Sequence, residues 1–186
     1  MPRYRIIYRP VKHPRIELKT GNPTIILPYG KDPREIVTRH RKWIEQKLNQ
    51  IEQLKQHAKH LNTYDRKEEE FKVLLLEATN KQGEPLNIHV NNIYIRRMKT
   101  KWASLSKRHN LTINRLVSKL PDELIDYIIY HELMHVKQRR HNSNFWALIE
   151  EKYPNYQELE QKLAAYWFLL INNRRTKQHA VGKVKK

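Results

Sequence analysis

The sequence contains no cysteine and only four glycines in 186 residues. Without cysteine there can be no disulfide bond, and a metal site has to use His, Asp or Glu ligands. The scarcity of glycine argues against a long Gly-rich phosphate loop, and the pattern G-x-x-x-x-G-K does not occur. These absences weigh against a nucleotide-dependent kinase or ATPase.

Long hydrophobic runs are also missing. The apolar stretch at residues 167–171 is far shorter than a membrane span, and the N-terminus has no hydrophobic signal region. We therefore expect a cytoplasmic protein with no membrane partner. At 39% hydrophobic residues the chain can still bury a core, so a folded protein is expected.

Basic residues are in large excess, with 37 Lys and Arg against 19 Asp and Glu, for a net charge of +18. Such an excess favours a polyanionic partner such as RNA or DNA, although some proteins are basic without one. Residues 85–121 contain no acid, and Tyr94 and Trp102 lie among their cations as possible stacking surfaces. The alternative is a core Trp beside an exposed basic hairpin. The candidate nucleic-acid contacts are the C-terminal tail and Arg96, Arg97, Lys99, Lys101, Lys107 and Arg108.

The N-terminal part alternates short β-type runs with breakers. We predict strands at residues 4–9, 15–19 and 24–27 in an antiparallel meander or hairpin, with one turn at Gly21-Asn22-Pro23. Asp32-Pro33 is a strong helix start, and an apolar stripe predicts a long helix to about residue 60. A second helix is expected from residue 68 to about 79.

The remaining residues predict a mixed α+β core. Strands are expected at 86–90, 94–98, 103–107 and 111–113, the last two as a hairpin, followed by helices at 121–138, after Asn142-Ser143, and from Asn155 to about 172. The predicted organisation is N-terminal strands and helices at 1–84, a core at 85–172 that forms one compact unit with them, and a disordered basic tail at 173–186.

The segment 131–135, HELMH, lies inside the helix that starts at Pro121. Two histidines four residues apart lie on one face of a helix, one turn apart, and can bind one ion. His131, Glu132 and His135 therefore match a zinc site with a general base. The alternative is that both histidines are merely packed or exposed.

His141 follows the expected helix end, where a short turn can bring it back to the ion as a third ligand. Exposure in a loop beside Arg139 and Arg140 is the alternative. Three imidazoles leave a fourth position on a tetrahedral zinc for water, whose proton Glu132 can accept. One Zn²⁺ per chain, bound by His131, His135 and His141, is the prediction.

Several segments together resemble the YgjP-like metallopeptidases, which are related to the SprT-like and WLM zinc proteases. The resemblance extends from the N-terminal strands through Trp43-Ile44 to five ordered motifs: KWASLS at 101–106, LTIN at 111–114, LPDELIDY at 120–127, HELMH at 131–135 and HNSNFW at 141–146. It implies a zincin-like core with His131, His135 and His141 as ligands and Glu132 as catalytic base. The chain departs from the family pattern W-G-S-C-S by having Ala103 and Leu105 at the Gly and Cys positions.

The expected function is peptide-bond hydrolysis by a zinc-bound water that Glu132 activates, with a protein or peptide as substrate. The alternative is a nucleic-acid-associated protein whose zinc is structural or weakly catalytic. No side chain is singled out to stabilise the oxyanion, for which the candidates are Tyr127, Tyr130, Tyr153 and Tyr156.

Overall fold

The computed structural model describes residues 4–18 and 23–181, with side chains described as far as residue 171. The chain divides into two compact units, Met1–His60 with Trp167–Lys186, and Leu61–Tyr166. These units reflect contacts within the chain, and the predicted domains at 1–84 and 85–172 stay a prediction. No helix in the described ranges is both long and apolar enough to cross a bilayer.

The first unit contains a three-stranded sheet of β1 (Arg5–Tyr8), β2 (Arg15–Glu17) and β3 (Thr24–Leu27). The strand order is β1-β3-β2, and β3 is antiparallel to β2 but parallel to β1. The prediction of a purely antiparallel meander is therefore wrong. The apolar run Ile25–Leu27 is buried, which suits β3 to the central position. Gly21 and Asn22 of the predicted turn lie outside the described residues.

The predicted helix from 33 to 60 is two helices, α1 (Pro33–Arg39) and α2 (Arg41–Ala58). The Asp32 cap is confirmed, since its side chain accepts a hydrogen bond from the Arg34 N–H at 2.8 Å. The break at His40 keeps its hydrogen bonds, from His40 N to Ile36 O and from Ile44 N to His40 O. No Pro or Gly marks this break, which is why the sequence predicts one helix.

The second unit begins with α3 (Glu68–Gly83), four residues longer than predicted. At the end of this helix the main chain of Ile88 packs closely against Gly83. A Cβ added to Gly83 would lie 2.4 Å from the carbonyl oxygen of Ile88, so the close packing requires glycine. The predicted strand at 86–90 is wrong. A 3₁₀ turn covers Glu84–Leu86, and Asn87 takes a left-handed conformation that no strand allows.

The second sheet consists of β4 (Asn92–Arg96), β5 (Ala103–Leu105) and β6 (Asn110–Asn114), in the order β4-β6-β5. The β5–β6 hairpin is confirmed as an antiparallel pair, and β4 runs parallel to β6. In this sheet β5 is an edge strand.

Three helices complete the chain: α4 (Asp122–Lys137), α5 (Ser143–Lys152) and α6 (Tyr156–Val181). Pro121 is the N-cap of α4 rather than its first helical residue. Asn142 caps α5, since its side chain accepts a hydrogen bond from Phe145 N. The predicted end of α6 near 172 is wrong, because the helix continues to Val181. Disorder of the basic tail at 173–186 stays a prediction. No Pro or Gly occurs after Pro154 until Gly182, so nothing local ends the helix earlier.

Candidate metal centre

The helix α4 places His131, Glu132 and His135 beside a cavity because most of its other residues are buried. Leu124, Ile125, Ile128, Ile129, Leu133 and Met134 pack into the core. The helix also contacts α3, α5 and β5. This packing fixes the rotation of the helix about its axis, and with it the face that carries the two histidines.

The three predicted histidines come together at one point. Ligand atoms of His131, His135 and His141 all lie within 4.8 Å of one another, and they are the only such cluster among the described residues. Nε2 of His131 lies 3.0 Å from Nε2 of His141. The turn after α4 brings His141 back, with Asn142 N donating to Arg140 O before Asn142 caps α5.

The other ring nitrogens of two of these histidines have acceptors of their own. Nδ1 of His131 lies 3.6 Å from Oε1 of Glu160, and that oxygen accepts a hydrogen bond from the Tyr127 hydroxyl at 2.7 Å. Nδ1 of His135 lies 3.1 Å from the Gln138 carbonyl oxygen. A proton on each Nδ1 leaves each Nε2 with a lone pair for an ion.

Phe145, which is fully buried, supports all three rings. Its ring centroid lies 4.9 Å from that of His131, 4.8 Å from His135 and 4.7 Å from His141. Trp146 stacks on His141 with ring centroids 5.7 Å apart. Sequential residues at the start of α5 thus hold the imidazoles in place.

Electrostatics keep two of these histidines, His131 and His141, neutral. Burial lowers the pKa of His131 to about 3, and the neighbouring His135 and His141 add to the shift. Burial also lowers the pKa of His141, together with the charges of His135 and Lys101. Neutral imidazole is the form that binds metals, so these two rings have the protonation state that a metal site needs.

Glu132 lies beside the cluster and is held by the main chain of β5. Its Oε2 accepts a hydrogen bond from the Leu105 N–H at 2.9 Å. Burial raises the pKa of Glu132, while His135, the Leu105 bond and Lys101 oppose that rise. A carboxylate with a raised pKa in such a place is suited to accept a proton near neutral pH.

The cluster opens into a cavity of about 570 Å³. It is lined by residues 101–107, which include β5, and by residues of α4 together with His141. Trp102 O accepts from Asn114 N and Ser106 N donates to Asn110 O, so the even-numbered residues of β5 bond to β6. The main-chain groups of Ala103 and Leu105 therefore point away from the sheet.

The tyrosines considered for the oxyanion are occupied elsewhere. The hydroxyl of Tyr127 donates to Glu160, that of Tyr130 donates to Leu148 O, and that of Tyr153 accepts from Gln82. Tyr156 stacks on Trp146 and accepts from the Gln157 side chain at 3.4 Å. Among them only Tyr127 lines the cavity.

The predicted basic surface is divided between two places. Lys101 and Lys107 line the metal-side cavity, as does Trp102. Arg96 lines a different cavity, between α3 and β4, and stacks on the Tyr94 ring with its guanidinium carbon 5.1 Å from the centroid. Nucleic-acid binding by this surface stays a prediction.

Two residues of the site were not predicted, namely Glu160 and Phe145. Glu160 belongs to α6, beyond the intervening helix α5, and no motif links it to the histidines. The one signal is its position beside the buried apolar residues Leu159 and Leu163 on that helix. An acid next to an apolar stripe is compatible with many roles, so sequence alone does not select it.

Two solved structures are similar to part of this chain. The metallopeptidase zymogen of Pyrococcus abyssi abylysin is 27% identical over 48% of this chain and 90% of its own, with a TM-score of 0.44. The metallopeptidase zymogen of Methanocaldococcus jannaschii jannalysin is 33% identical over 48% of this chain and 92% of its own, with a TM-score of 0.43. No curated protein matches the chain.

The family comparison covers the whole site. Residues 55–166 match the model of the YgjP-like metallopeptidase domain. This segment runs from the end of α2 to the middle of α6, so it contains the three histidines together with Glu132 and Glu160. Because the match extends over more than half of the sequence, this chain belongs to the YgjP-like family and carries its metallopeptidase domain.

Proposed function

We propose that this protein is a zinc-dependent metallopeptidase that hydrolyses peptide bonds, with a zincin-like arrangement of its site. The observation that carries the proposal is the meeting of three histidines with Glu132 at one open cavity. The family supports a metallopeptidase, and the geometry is the support for the roles proposed for the individual residues.

The donor set fits zinc. Two nitrogens bound to one tetrahedral zinc at about 2.05 Å lie roughly 3.3 Å apart. The Nε2 atoms of His131 and His141 are 3.0 Å apart, close to that spacing. Three histidine ligands leave one position open, which is typical of catalytic rather than structural zinc. His131, His135 and His141 would hold one ion per chain.

Glu132 acts as the general base in this proposal. A bound zinc would supply a Lewis acid that lowers the pKa of water and polarises the substrate carbonyl. The Leu105 N–H holds Oε2 of Glu132, which leaves Oε1 to take a proton from the attacking water. The same carboxyl group then gives the proton to the leaving amine, so Glu132 ends the cycle ionised.

The outward edge of β5 would hold the substrate in an extended conformation. The N–H and C=O of Ala103 are directed away from β6, and the cavity runs along this edge. A peptide that adds as a further strand would pair with these groups and pass Glu132. Ala103, at the position where the family pattern has Gly, lines the cavity but is only 3% exposed, so its methyl group takes up little of the cleft surface.

The test combines metal analysis with two variants. We expect about one zinc per chain, kept in Glu132→Gln while cleavage of a quenched-fluorescent peptide library falls by about 10²–10⁴-fold, the usual contribution of a general base. His141→Ala should lose zinc on dialysis, whereas His57→Ala, which alters an exposed histidine of α2, should keep it. Zinc retained unchanged in His141→Ala would remove that residue from the ligand set, and full cleavage by Glu132→Gln would refute its role as base.

A further inference from the structure

We propose that the cleft selects acidic peptide segments, so that Asp or Glu residues on both sides of the scissile bond favour binding. This inference deepens the proposed peptidase function and rests on it. It follows from the charges that line the cavity and from where they lie relative to β5.

The accessible charge in the cavity is positive. Lys101, Lys107 and Arg139 line it, and all three side chains are exposed. None of the three forms an ion pair within the part of the chain that the structure describes. Unpaired cations that share a cavity with a substrate are available for ion pairs with it.

The two carboxylates of the cavity, the only ones among its described lining residues, are engaged inside the site. Glu132 accepts the Leu105 N–H, and Glu160 accepts the Tyr127 hydroxyl beside His131. Glu132 is needed for proton transfer and Glu160 is held against a histidine. Within the described chain neither carboxylate forms an ion pair with the three cations, although the charge of Lys101 acts on Glu132 and opposes the rise of its pKa.

The cations lie along the path of an extended peptide. Lys101 precedes β5 and Lys107 follows it, so a strand laid along Ala103–Leu105 passes a cation at each end. Arg139 also lines the cavity and lies in the turn that carries His141. Acidic side chains before and after the scissile bond would each reach a cation, whereas Lys or Arg there would meet like charge.

The experiment has to separate this cleft from the general basicity of a chain with a net charge of +18. Two double variants change the net charge equally: Lys101→Glu with Arg139→Glu inside the cavity, and Lys137→Glu with Arg140→Glu outside it. Lys137 and Arg140 are exposed neighbours that do not line the cavity. Each pair is placed in the zinc-loaded Glu132→Gln protein, so that binding is measured without turnover.

The probes are fluorescent peptides of equal length that carry Glu, Gln or Lys on both sides of a neutral centre. By anisotropy at low salt, the Glu peptide should bind about tenfold more tightly than the Gln peptide, as two or three partly exposed ion pairs would give. The preference should shrink as salt rises. The variant Lys101→Glu/Arg139→Glu should lose the preference for the Glu peptide or bind the Lys peptide more tightly. The variant Lys137→Glu/Arg140→Glu should keep most of the preference.

Equal loss of the preference in both double variants would overturn the inference, since long-range charge would then explain it. Cleavage without any charge preference in the parent enzyme would also overturn it and leave the peptidase function intact.

A single-stranded oligonucleotide of matched charge is the competing ligand. If it binds more tightly than the Glu peptide and depends more on Lys101 and Arg139, the cleft selects nucleic acid instead. Zinc binding without cleavage of any peptide would refute the peptidase function itself, while the binding preference would still be measurable.

Discussion

The carboxylate of Glu160 has two polar neighbours in the cavity, the Tyr127 hydroxyl at 2.7 Å and Nδ1 of His131 at 3.6 Å. Tyr127 remains a hydrogen-bond donor because burial and the neighbouring Glu160 raise its pKa well above the usual value. Because Tyr127 donates its proton, Glu160 stays the acceptor and its charge favours a proton on Nδ1 of His131. Carboxylates that orient a ligating histidine in this way increase its basicity and fix its tautomer.

Substitution of Glu160 by Gln should weaken zinc binding about tenfold, at the lower end of the usual cost for such partners. The amide can still accept the Tyr127 hydroxyl, so folding should be retained. Zinc affinity is measured by competition with a chromophoric chelator. The control is Glu158→Gln, an exposed position in the first turn of the same helix. Equal affinities in the two variants would show that Glu160 does not act on the metal site.

At the scale of elements, Asn114 connects β6 to the segment that leads into β5. This fully buried side chain donates to Met98 O at 3.1 Å and to Lys101 O at 2.8 Å, and it accepts from Leu116 N at 3.2 Å. Its main-chain N–H also bonds Trp102 O at 2.7 Å. One residue thus fixes the main chain on the approach to the metal-side cavity.

Asn114→Ala should lower the free energy of unfolding by about 2–4 kcal/mol, because two carbonyls and an amide lose a buried partner. We also expect kcat/KM to fall, since Lys101 and β5 are no longer fixed. Urea unfolding and peptide cleavage measure the two effects. The control is Asn110→Ala, at the first residue of the same strand. It loses only the hydrogen bond that the Asn110 side chain accepts from the Asn92 side chain. It should change stability by roughly 0.5 kcal/mol or less, and a loss as large as that of Asn114→Ala would contradict the assignment.

Elements set by neighbours in sequence were predicted well. Asp32 caps α1 and Asn142 caps α5 through bonds that span only two or three residues, and the β5–β6 hairpin closes over a short turn. Strand pairings between segments far apart in the sequence were not predicted. The parallel pairs β1–β3 and β4–β6 depend on which strand becomes central, and this is decided by packing of the whole sheet.

The same distinction applies to the site. His131, Glu132 and His135 occur within one helical turn and a half, so helix geometry alone brings them to one side. Glu160 and Phe145 reach the histidines only through the packing of α6 and α5, which local patterns do not encode. The bend at His40 was missed for a related reason, because its hydrogen bonds persist and no breaker residue marks it.

For the whole molecule, the neutral state of His131 makes stability depend on pH. The folded pKa is about 3, below the value of about 6.5 expected for an unfolded histidine. The folded state therefore binds fewer protons, so this contribution is complete above pH 6.5 and is lost as the pH falls toward 3. His141 shifts in the same direction, whereas Glu132 and Glu160, whose pKa values are raised by burial, oppose the loss at lower pH.

Metal-free protein should lose about 1 kcal/mol of unfolding free energy between roughly pH 7.5 and pH 5.5. The measurement is urea unfolding at the two pH values in the presence of a chelator. His131→Gln, which removes the titrating ring, should show a smaller difference. An equal difference in the two proteins would assign the pH dependence to other groups. With zinc present the dependence should become steeper, because protons and the ion compete for the same nitrogens.

The hydrogen bond between Leu105 N–H and Glu132 has a consequence for where a bound peptide is cut. This bond uses the outward-facing N–H of Leu105. A peptide strand added at the edge of β5 can therefore pair with the N–H and C=O of Ala103, but only with the C=O of Leu105. A peptide can slide along a strand only in steps of two residues if its side chains are to keep their faces. The distance along the backbone from the pairing at Ala103 to the bond beside Glu132 is then constant. The strand would therefore fix how a bound peptide lies against Glu132, and the side chains of the peptide would decide which of its bonds comes to lie there.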